Sequence, residues 1–139
     1  MGTWASAYVG IPFTDHGRTK FGCDCWGLVR LIYREQFGLS LPDYGEAYMT
    51  TNDRNEIKTM IQEAPIRGWT AHPLHEAREG DALLLRMAGI PMHCGIVIQP
   101  TKFLHIESGM NAVIEDWVRP HWRRRVLGVY RHNLMKGMP

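Results

Sequence analysis

Three side chains of this sequence have the types and the spacing for nucleophilic catalysis, namely Cys25, His93 and His105. Cys25 follows a polar loop over 14–24 and opens an amphipathic segment, so we expect it at a helix N-terminus. There the helix dipole and the N–H groups without helical partners favour the reactive thiolate, and they can hold the oxyanion formed when it attacks a carbonyl. The competing interpretation of Cys25 is a small buried hydrophobic residue.

A cysteine nucleophile needs a base, and the base needs a partner that orients its ring. His93 and His105 lie 12 residues apart in two apolar segments of strand character. If the chain turns about Gln99, the two histidines lie directly opposite each other on neighbouring antiparallel strands and share one face. One imidazole then accepts the thiol proton while the other fixes its tautomer. A turn centred half a residue away places them on opposite faces, where each is an ordinary core histidine.

The elements that must position these residues follow from hydrophobic periodicity. Apolar residues at three- and four-residue spacing predict a helix over Cys25–Phe37, with Asp24 as its N-cap and Gly38 as its C-terminal stop. We also predict a short helix over 4–9, capped by Thr3, and a second amphipathic helix over about 53–64.

Strand patterns follow the helices along the chain. Five segments have the composition of strands: 82–87, 93–98, 103–107, 112–116 and 126–130. A turn is expected over 88–91. Helices first and strands afterwards predict an α+β fold, in which N-terminal helices pack on a central antiparallel sheet of about five strands. The length of 139 residues suits a single domain over 1–139.

The composition excludes several classes of protein. Hydrophobic residues make up 45% of the chain and charged residues 22%, which is typical of a globular protein and argues against disorder. No apolar run is long enough to span a membrane, and the first residues lack the pattern of a secretory signal. The net charge of +2 is too small to indicate a nucleic-acid partner. We expect a chain made in the cytoplasm, with no nucleic acid bound and no membrane insertion.

The charge is unevenly distributed, because residues 117–139 carry six basic side chains and no acidic one. The run at 123–125 has two interpretations. It is either a solvated strand edge that blocks pairing with other sheets or a contact for an anionic partner.

The odd set of three cysteines predicts free thiols in a reducing cytosol, since Cys23 and Cys25 are too close for an easy disulfide. A zinc site could draw on Cys23, Cys25 and Cys94 together with His93 and His105. Their spacing matches no standard zinc cluster, and Cys94 should point away from His93 on a strand. We therefore predict no metal, and we expect Cys23 and Cys94 to have no part in the chemistry.

Four segments resemble, in order, the motifs of the NlpC family of papain-like cell-wall cysteine peptidases. DCWGLV at 24–29 is similar to the nucleophile motif, and GDALL at 80–84 to the Gly-Asp strand. HCGIVI at 93–98 is similar to the histidine strand, and FLH at 103–105 to the segment with the third polar residue. The resemblance extends over about residues 5–116.

This resemblance implies a papain-like NlpC fold and assigns roles to the three residues. Cys25 matches the nucleophile, His93 the general base and His105 the residue that orients it. The implied reaction is hydrolysis of amide bonds in peptidoglycan stem peptides through an acyl-enzyme, with no metal or other cofactor.

Other segments resemble the branch of the family found among bacteriophage tail proteins: Trp26 after the cysteine, residues 33–42 and residues 125–132. This resemblance implies tail hub or tail-tip partners, a place in the virion tail, and action at the bacterial cell wall or periplasm.

Two residues depart from the family pattern. Phe13 stands where many members have a tyrosine whose hydroxyl lies near the oxyanion, and Trp26 replaces a small residue. Trp26 is therefore either structural or part of the substrate groove. We expect Asp24 to cap the helix, while Arg18 and His16 are either a solvated loop or contacts for a substrate carboxylate.

The departure at Phe13 leaves a second function open, a catalytically weak or inactive structural module of a tail tip. A third is an acyltransferase with the same nucleophile and an amine or lipid acceptor. The absence of a long apolar segment argues against a lipid acceptor.

Overall fold

A computed structural model describes residues 3–41, 68–87 and 90–135, with side chains described at all of these positions except 87 and 90–92. The predicted second helix over about 53–64 lies outside the described residues. The longest helix within these ranges has 13 residues, and none there combines the length and hydropathy of a membrane span.

The helix that carries the predicted nucleophile is α1, Cys25–Phe37. Asp24 caps its N-terminus, because the Asp24 side chain accepts a hydrogen bond from the backbone N–H of Gly27. Gly38 ends it in the left-handed region at φ 67°, and its N–H donates to the carbonyl of Tyr33. The bounds and both caps of this helix are confirmed.

Six antiparallel strands form the central sheet: β3 Trp69–His72, β4 Ala82–Met87, β5 Ile90–Gln99, β6 Lys102–His105, β7 Val113–Asp116 and β8 Val126–His132. Their order across the sheet is β3-β8-β4-β5-β6-β7. A small hairpin of β1 (Arg18–Thr19) and β2 (Gly22–Cys23) precedes α1, and a short helix α2 (Pro120–Arg123) precedes β8. The α+β class and the central antiparallel sheet are confirmed.

Several local predictions are corrected. The sheet has six strands instead of about five. The additional strand, β3, pairs with β8 at the edge of the sheet, and its four residues show little of the apolar alternation by which a sequence predicts a strand. The residues predicted as a loop before α1 contain the hairpin of β1 and β2. The segment Thr3–Ala7 is a 3₁₀ helix. The turn expected over 88–91 is shorter, since β5 begins at Ile90.

Hydrophobic side chains cover both faces of the sheet. The core on the α1 side includes Leu28, Ile32, Leu84, Cys94, Ile96 and Leu104. The core on the other face includes Leu83, Leu85, Val97, Phe103, Trp122 and Val129. Alternate residues of β5 therefore enter different cores, and one side of this strand packs against α1.

A buried ion pair joins the turn before β4 to β8. The Nε and Nη2 atoms of Arg131 each donate to the Asp81 carboxylate at 2.8 Å, and Arg131 also donates to the carbonyl of Glu76. The Tyr33 hydroxyl donates to the carbonyl of Gly80, which attaches α1 to the same turn. These contacts hold α1 against the sheet.

Candidate active site

Cys25 is the first residue of α1, and hydrogen bonds of the preceding residue, Asp24, set its position. The Asp24 Oδ1 atom accepts from the N–H of Gly27 at 2.7 Å and from Nη1 of Arg18 at 2.7 Å. Its Oδ2 atom accepts from the N–H of His16 at 3.1 Å. Asp24 is only 1% exposed, so these bonds satisfy its charge and fix the first turn of the helix.

The register of β5 and β6 places His93 and His105 on one face of the sheet. The strands are joined at residues 100–101, not about Gln99, and this turn alone would separate the two histidines onto opposite faces. A bulge between Val97 and Gln99 shifts the register and restores the shared face. The histidines are diagonal neighbours instead of being directly opposite, and His93 Nε2 lies 2.8 Å from His105 Nδ1.

Gly95 allows the two strands to approach at the histidine pair. Ile96 pairs with Leu104, which places Gly95 beside His105. A Cβ atom at Gly95 would lie 2.9 Å from the carbonyl oxygen of Leu104 and 3.1 Å from Cβ of His105. A larger residue would therefore push His105 away from His93.

The surroundings of Cys25 favour its thiolate. A side-chain hydrogen bond with Cys94, and then the hydrogen bond and charge of His93, lower the pKa of the Cys25 thiol to about 5. Burial and the charge of Asp24 act in the opposite direction. At neutral pH, this lowered pKa favours the thiolate form of Cys25, next to His93.

Cys94 takes part in the site, contrary to the expectation from the sequence. Its hydrogen bond with Cys25 and its burial raise the pKa of the Cys94 thiol well above the ordinary value, so Cys94 stays protonated and donates. Strand alternation does direct Cys94 away from His93, and that direction is toward α1. By contrast, Cys23 donates to the carbonyl of Thr19 at 3.0 Å, and burial raises its pKa to about 11.

His105 is a neutral, fully buried partner of His93. Burial, and then the charge of His93, lower the pKa of His105 to about 3. Its ring packs against Phe103 at a centroid distance of 4.9 Å and against the edge of Trp122 at 4.8 Å. This apolar packing fixes the ring plane, and it excludes the charged form of His105.

Two carboxylates that the sequence did not single out flank His105. Glu107 Oε1 lies 3.9 Å from His105 Nδ1, and Glu115 Oε2 lies 3.9 Å from His105 Nε2. His93, His105 and Glu107 are the group of metal-ligand types found closest together in the described ranges. Two nitrogens bound to one tetrahedral zinc are about 3.3 Å apart, whereas the histidine nitrogens lie 2.8 Å apart. This spacing fits a hydrogen bond.

The remaining predicted residues lie around this centre. Arg18 is paired with Asp24, and its side chain is only 14% exposed. Trp26 is buried in the core on the α1 side. Phe13 forms a bridge with Cys23 and is half-buried against the same core.

A family model and several known proteins match this chain. The model of the NlpC/P60 family matches residues 10–131. The murein DD-endopeptidase MepS/murein LD-carboxypeptidase of Escherichia coli is 29% identical over 116 residues, which are 84% of this chain and 53% of the relative. A probable endopeptidase NlpC homolog of Haemophilus influenzae is 24% identical over 117 residues, with the same coverage. The chain thus spans about half the length of these relatives.

Solved structures share the fold at low sequence identity. A lipoprotein-like protein of the NLP/P60 family from Staphylococcus aureus aligns with a TM-score of 0.65 and 22% identity, over 92% of this chain and 38% of that one. The NlpC/p60 domain of the peptidoglycan hydrolase SagA aligns with a TM-score of 0.64 and 21% identity, over 91% of this chain and 92% of that one.

Proposed function

Because this chain belongs to the NlpC/P60 family, we propose that it is a cysteine endopeptidase that cuts amide bonds of peptidoglycan stem peptides. In this proposal Cys25 is the nucleophile, His93 is the general base, and His105 orients His93. The observation that carries the proposal is the connected chain of groups from the low-pKa Cys25 thiol through His93 to the buried His105. The names of the matched relatives, a murein endopeptidase and a peptidoglycan hydrolase, support the substrate.

The proposed reaction has two halves. The Cys25 thiolate attacks the amide carbon, and the His93 imidazolium gives its proton to the amine as the carbon–nitrogen bond breaks. This leaves an acyl-thioester on Cys25. His93 then takes a proton from water, whose oxygen attacks the thioester, and the free carboxylic acid leaves as the Cys25 thiolate is restored.

Backbone N–H groups at the start of α1 are the proposed donors for the oxyanion. The first N–H groups of a helix have no partner four residues earlier, and the helix dipole favours negative charge there. The side chain of Asp24 already accepts from the N–H of Gly27, so the N–H groups left for the oxyanion belong to residues nearer Cys25. Phe13 supplies no hydroxyl at the family's tyrosine position.

Turnover of purified peptidoglycan fragments, followed by mass spectrometry, tests the function. The wild type should yield two peptides whose masses sum to the substrate plus one water, and Cys25→Ser should lower kcat/KM by at least about a thousandfold. Cys23→Ser is the matched control and should keep activity. Equal background turnover by the wild type and Cys25→Ser would contradict the proposal, and transfer to an added amine instead of water would indicate an acyltransferase.

The observation at Phe13 favours one second candidate, a catalytically weak structural module. The test is Phe13→Tyr. If the missing hydroxyl limits the reaction, this variant gains turnover while the wild type stays near background. If the wild type already turns over and Phe13→Tyr changes kcat by less than about twofold, the module is excluded.

We further propose that a bacteriophage tail carries this chain and that tail hub or tail-tip proteins are its partners. The support is the resemblance of Trp26 and of residues 33–42 and 125–132 to the tail-associated branch. Mass spectrometry of purified virions should detect the chain at a fixed ratio to tail proteins. Its absence from intact particles would contradict this assignment.

A further inference from the structure

Within the described part of the chain, one nitrogen of the buried His105 ring has no hydrogen-bond partner. His105 is 0% exposed, and its Nδ1 atom meets Nε2 of His93 at 2.8 Å, while its Nε2 atom has no partner among the described residues. A buried polar atom of this kind is destabilising unless a hydrogen-bond partner satisfies it.

The protonation of His93 decides which tautomer His105 must adopt. As an imidazolium, His93 carries protons on both ring nitrogens, so its Nε2–H donates and Nδ1 of His105 must accept. A neutral His105 that accepts at Nδ1 carries its one proton on Nε2. The unpartnered Nε2 atom is therefore an N–H donor whenever Cys25 and His93 form an ion pair, and it requires an acceptor.

Glu115 is placed to be that acceptor. Phe103 pairs with Glu115 and His105 with Val113 across β6 and β7, so the side chains of Glu115 and His105 lie on the same face of the sheet. Glu115 Oε2 lies 3.9 Å from His105 Nε2. The Glu115 side chain is 28% exposed, so rotation about its terminal torsions is free to shorten this distance to a hydrogen bond.

We propose that Glu115 is a positioning residue for the Cys25–His93 pair. Its carboxylate accepts a hydrogen bond from His105 Nε2–H, which fixes His105 in the tautomer that accepts from His93. This inference rests on the proposed function, because it assigns Glu115 a role in the same reaction. Glu115 on β7 then follows His93 on β5 and His105 on β6 in one connected series of side chains.

The other charged group beside His105 does not replace Glu115. Glu107 lies near Nδ1, where it would favour the opposite tautomer, but that nitrogen is already bonded to His93. Trp122, which packs on the His105 ring, also has a buried Nε1–H without a partner in the described part of the chain. His105 and Trp122 thus each have a buried ring nitrogen without an acceptor among the described residues, which indicates that an acceptor belongs beside them.

Nitrogen-15 NMR of the imidazole rings tests the tautomer directly, without substrate. At a pH where the same spectra show His93 protonated on both nitrogens, the wild type should show His105 protonated at Nε2, assigned by the loss of its signals in His105→Gln. Glu115→Gln keeps an acceptor and should keep this tautomer. Glu115→Leu removes the acceptor and should shift His105 to a mixture of tautomers. Asp116→Asn, the same charge change on the opposite face of β7, should have no effect.

Kinetics on peptidoglycan fragments provide the second measurement. Glu115→Leu should lower kcat about tenfold, which is the loss expected for one hydrogen bond to an ionised network, with KM within about twofold. Asp116→Asn should match the wild type. His105 protonated at Nδ1 in the wild type, or an unchanged tautomer in Glu115→Leu, would overturn the inference.

The two measurements separate this inference from the proposed function. If the wild type cuts no peptidoglycan but the tautomer responds to Glu115→Leu, the function is wrong and the role of Glu115 stands. If the wild type is active and the tautomer does not respond, Glu115 has no positioning role.

Discussion

The Nε2 atom of His93 lies 2.8 Å from the Nδ1 atom of His105, and burial keeps His105 neutral. A neutral imidazole in this position can accept from a protonated His93, whereas a charged one would repel it. The other nitrogen of His93 is then available to Cys25. In the proposed reaction, the burial of His105 keeps a second positive charge away from the Cys25–His93 pair.

The low pKa of His105 predicts a pH-dependent stability. Its pKa is about 3 in the folded chain and 6.5 ordinarily, so between these values the unfolded chain binds a proton that the folded chain does not. The free energy of unfolding should fall as the pH drops from about 6.5 toward 3, by at most about 1.4 kcal/mol per pH unit. Urea unfolding at several pH values measures this slope.

His105→Gln should flatten that slope, because it removes the titrating ring. Cys25 also contributes stability that is lost as the pH falls through about 5, so the comparison with the wild type isolates the effect of His105. His75→Gln is the control, since His75 is 81% exposed and should leave the slope unchanged. Equal slopes in the wild type and His105→Gln would contradict the burial of a neutral ring.

The hydrogen bond from Cys94 predicts a direct effect on Cys25. Cys94→Ala removes the donor that lowers the pKa of Cys25 most, so the apparent pKa of Cys25 should rise from about 5 toward its ordinary value. Cys94→Ser keeps a donor and should raise it less. The rate of Cys25 alkylation against pH measures both, with Cys23→Ser as the control. An unchanged profile in Cys94→Ala would show that His93 alone activates the thiol.

The ion pair of Asp81 and Arg131 predicts a large loss of stability on substitution. Asp81→Asn leaves a buried guanidinium without its carboxylate, which should lower the free energy of unfolding by about 3–5 kcal/mol. Asp116→Asn, at a partly exposed pair with Lys102, should lower the free energy of unfolding far less. Chemical denaturation compares the two, and equal losses would contradict the account.

The contacts of Gly95 predict a catalytic defect from a single methyl group. Gly95→Ala places Cβ too close to the carbonyl of Leu104 and to His105, so β6 must move away and the bond between the histidines must lengthen. We expect kcat to fall at least about tenfold. Gly109→Ala, where a Cβ would meet no neighbour but φ is 86°, is the control for general strain. Equal activity in both variants would contradict the role of Gly95 in holding the two histidines close together.

Local patterns predicted α1 correctly, because its caps and its apolar stripe are formed by residues close together in the chain. Asp24 and Gly38 have side-chain and backbone properties that mark helix ends without reference to tertiary structure. The same holds for the five strands with strong apolar composition. The sequence does not predict the edge strand β3, because its residues show little apolar alternation and its stability comes from pairing with β8.

The histidine pair could be proposed from the sequence, but its geometry could not. The bulge between Val97 and Gln99 decides whether His93 and His105 share a face, and no residue type in that segment marks it. Strand alternation directs Cys94 away from His93, so the sequence predicts no role for Cys94. The missing information was that α1 packs on that side of β5, which is a tertiary contact.

Alkylation of Cys25 by iodoacetamide as a function of pH tests the central claim most directly, with modification at Cys25 quantified by mass spectrometry. Cys25 should react as a thiolate with an apparent pKa of about 5, which His93→Ala shifts upward. An apparent pKa near the free-thiol value of about 8.5 in the wild type would contradict an activated nucleophile at this site.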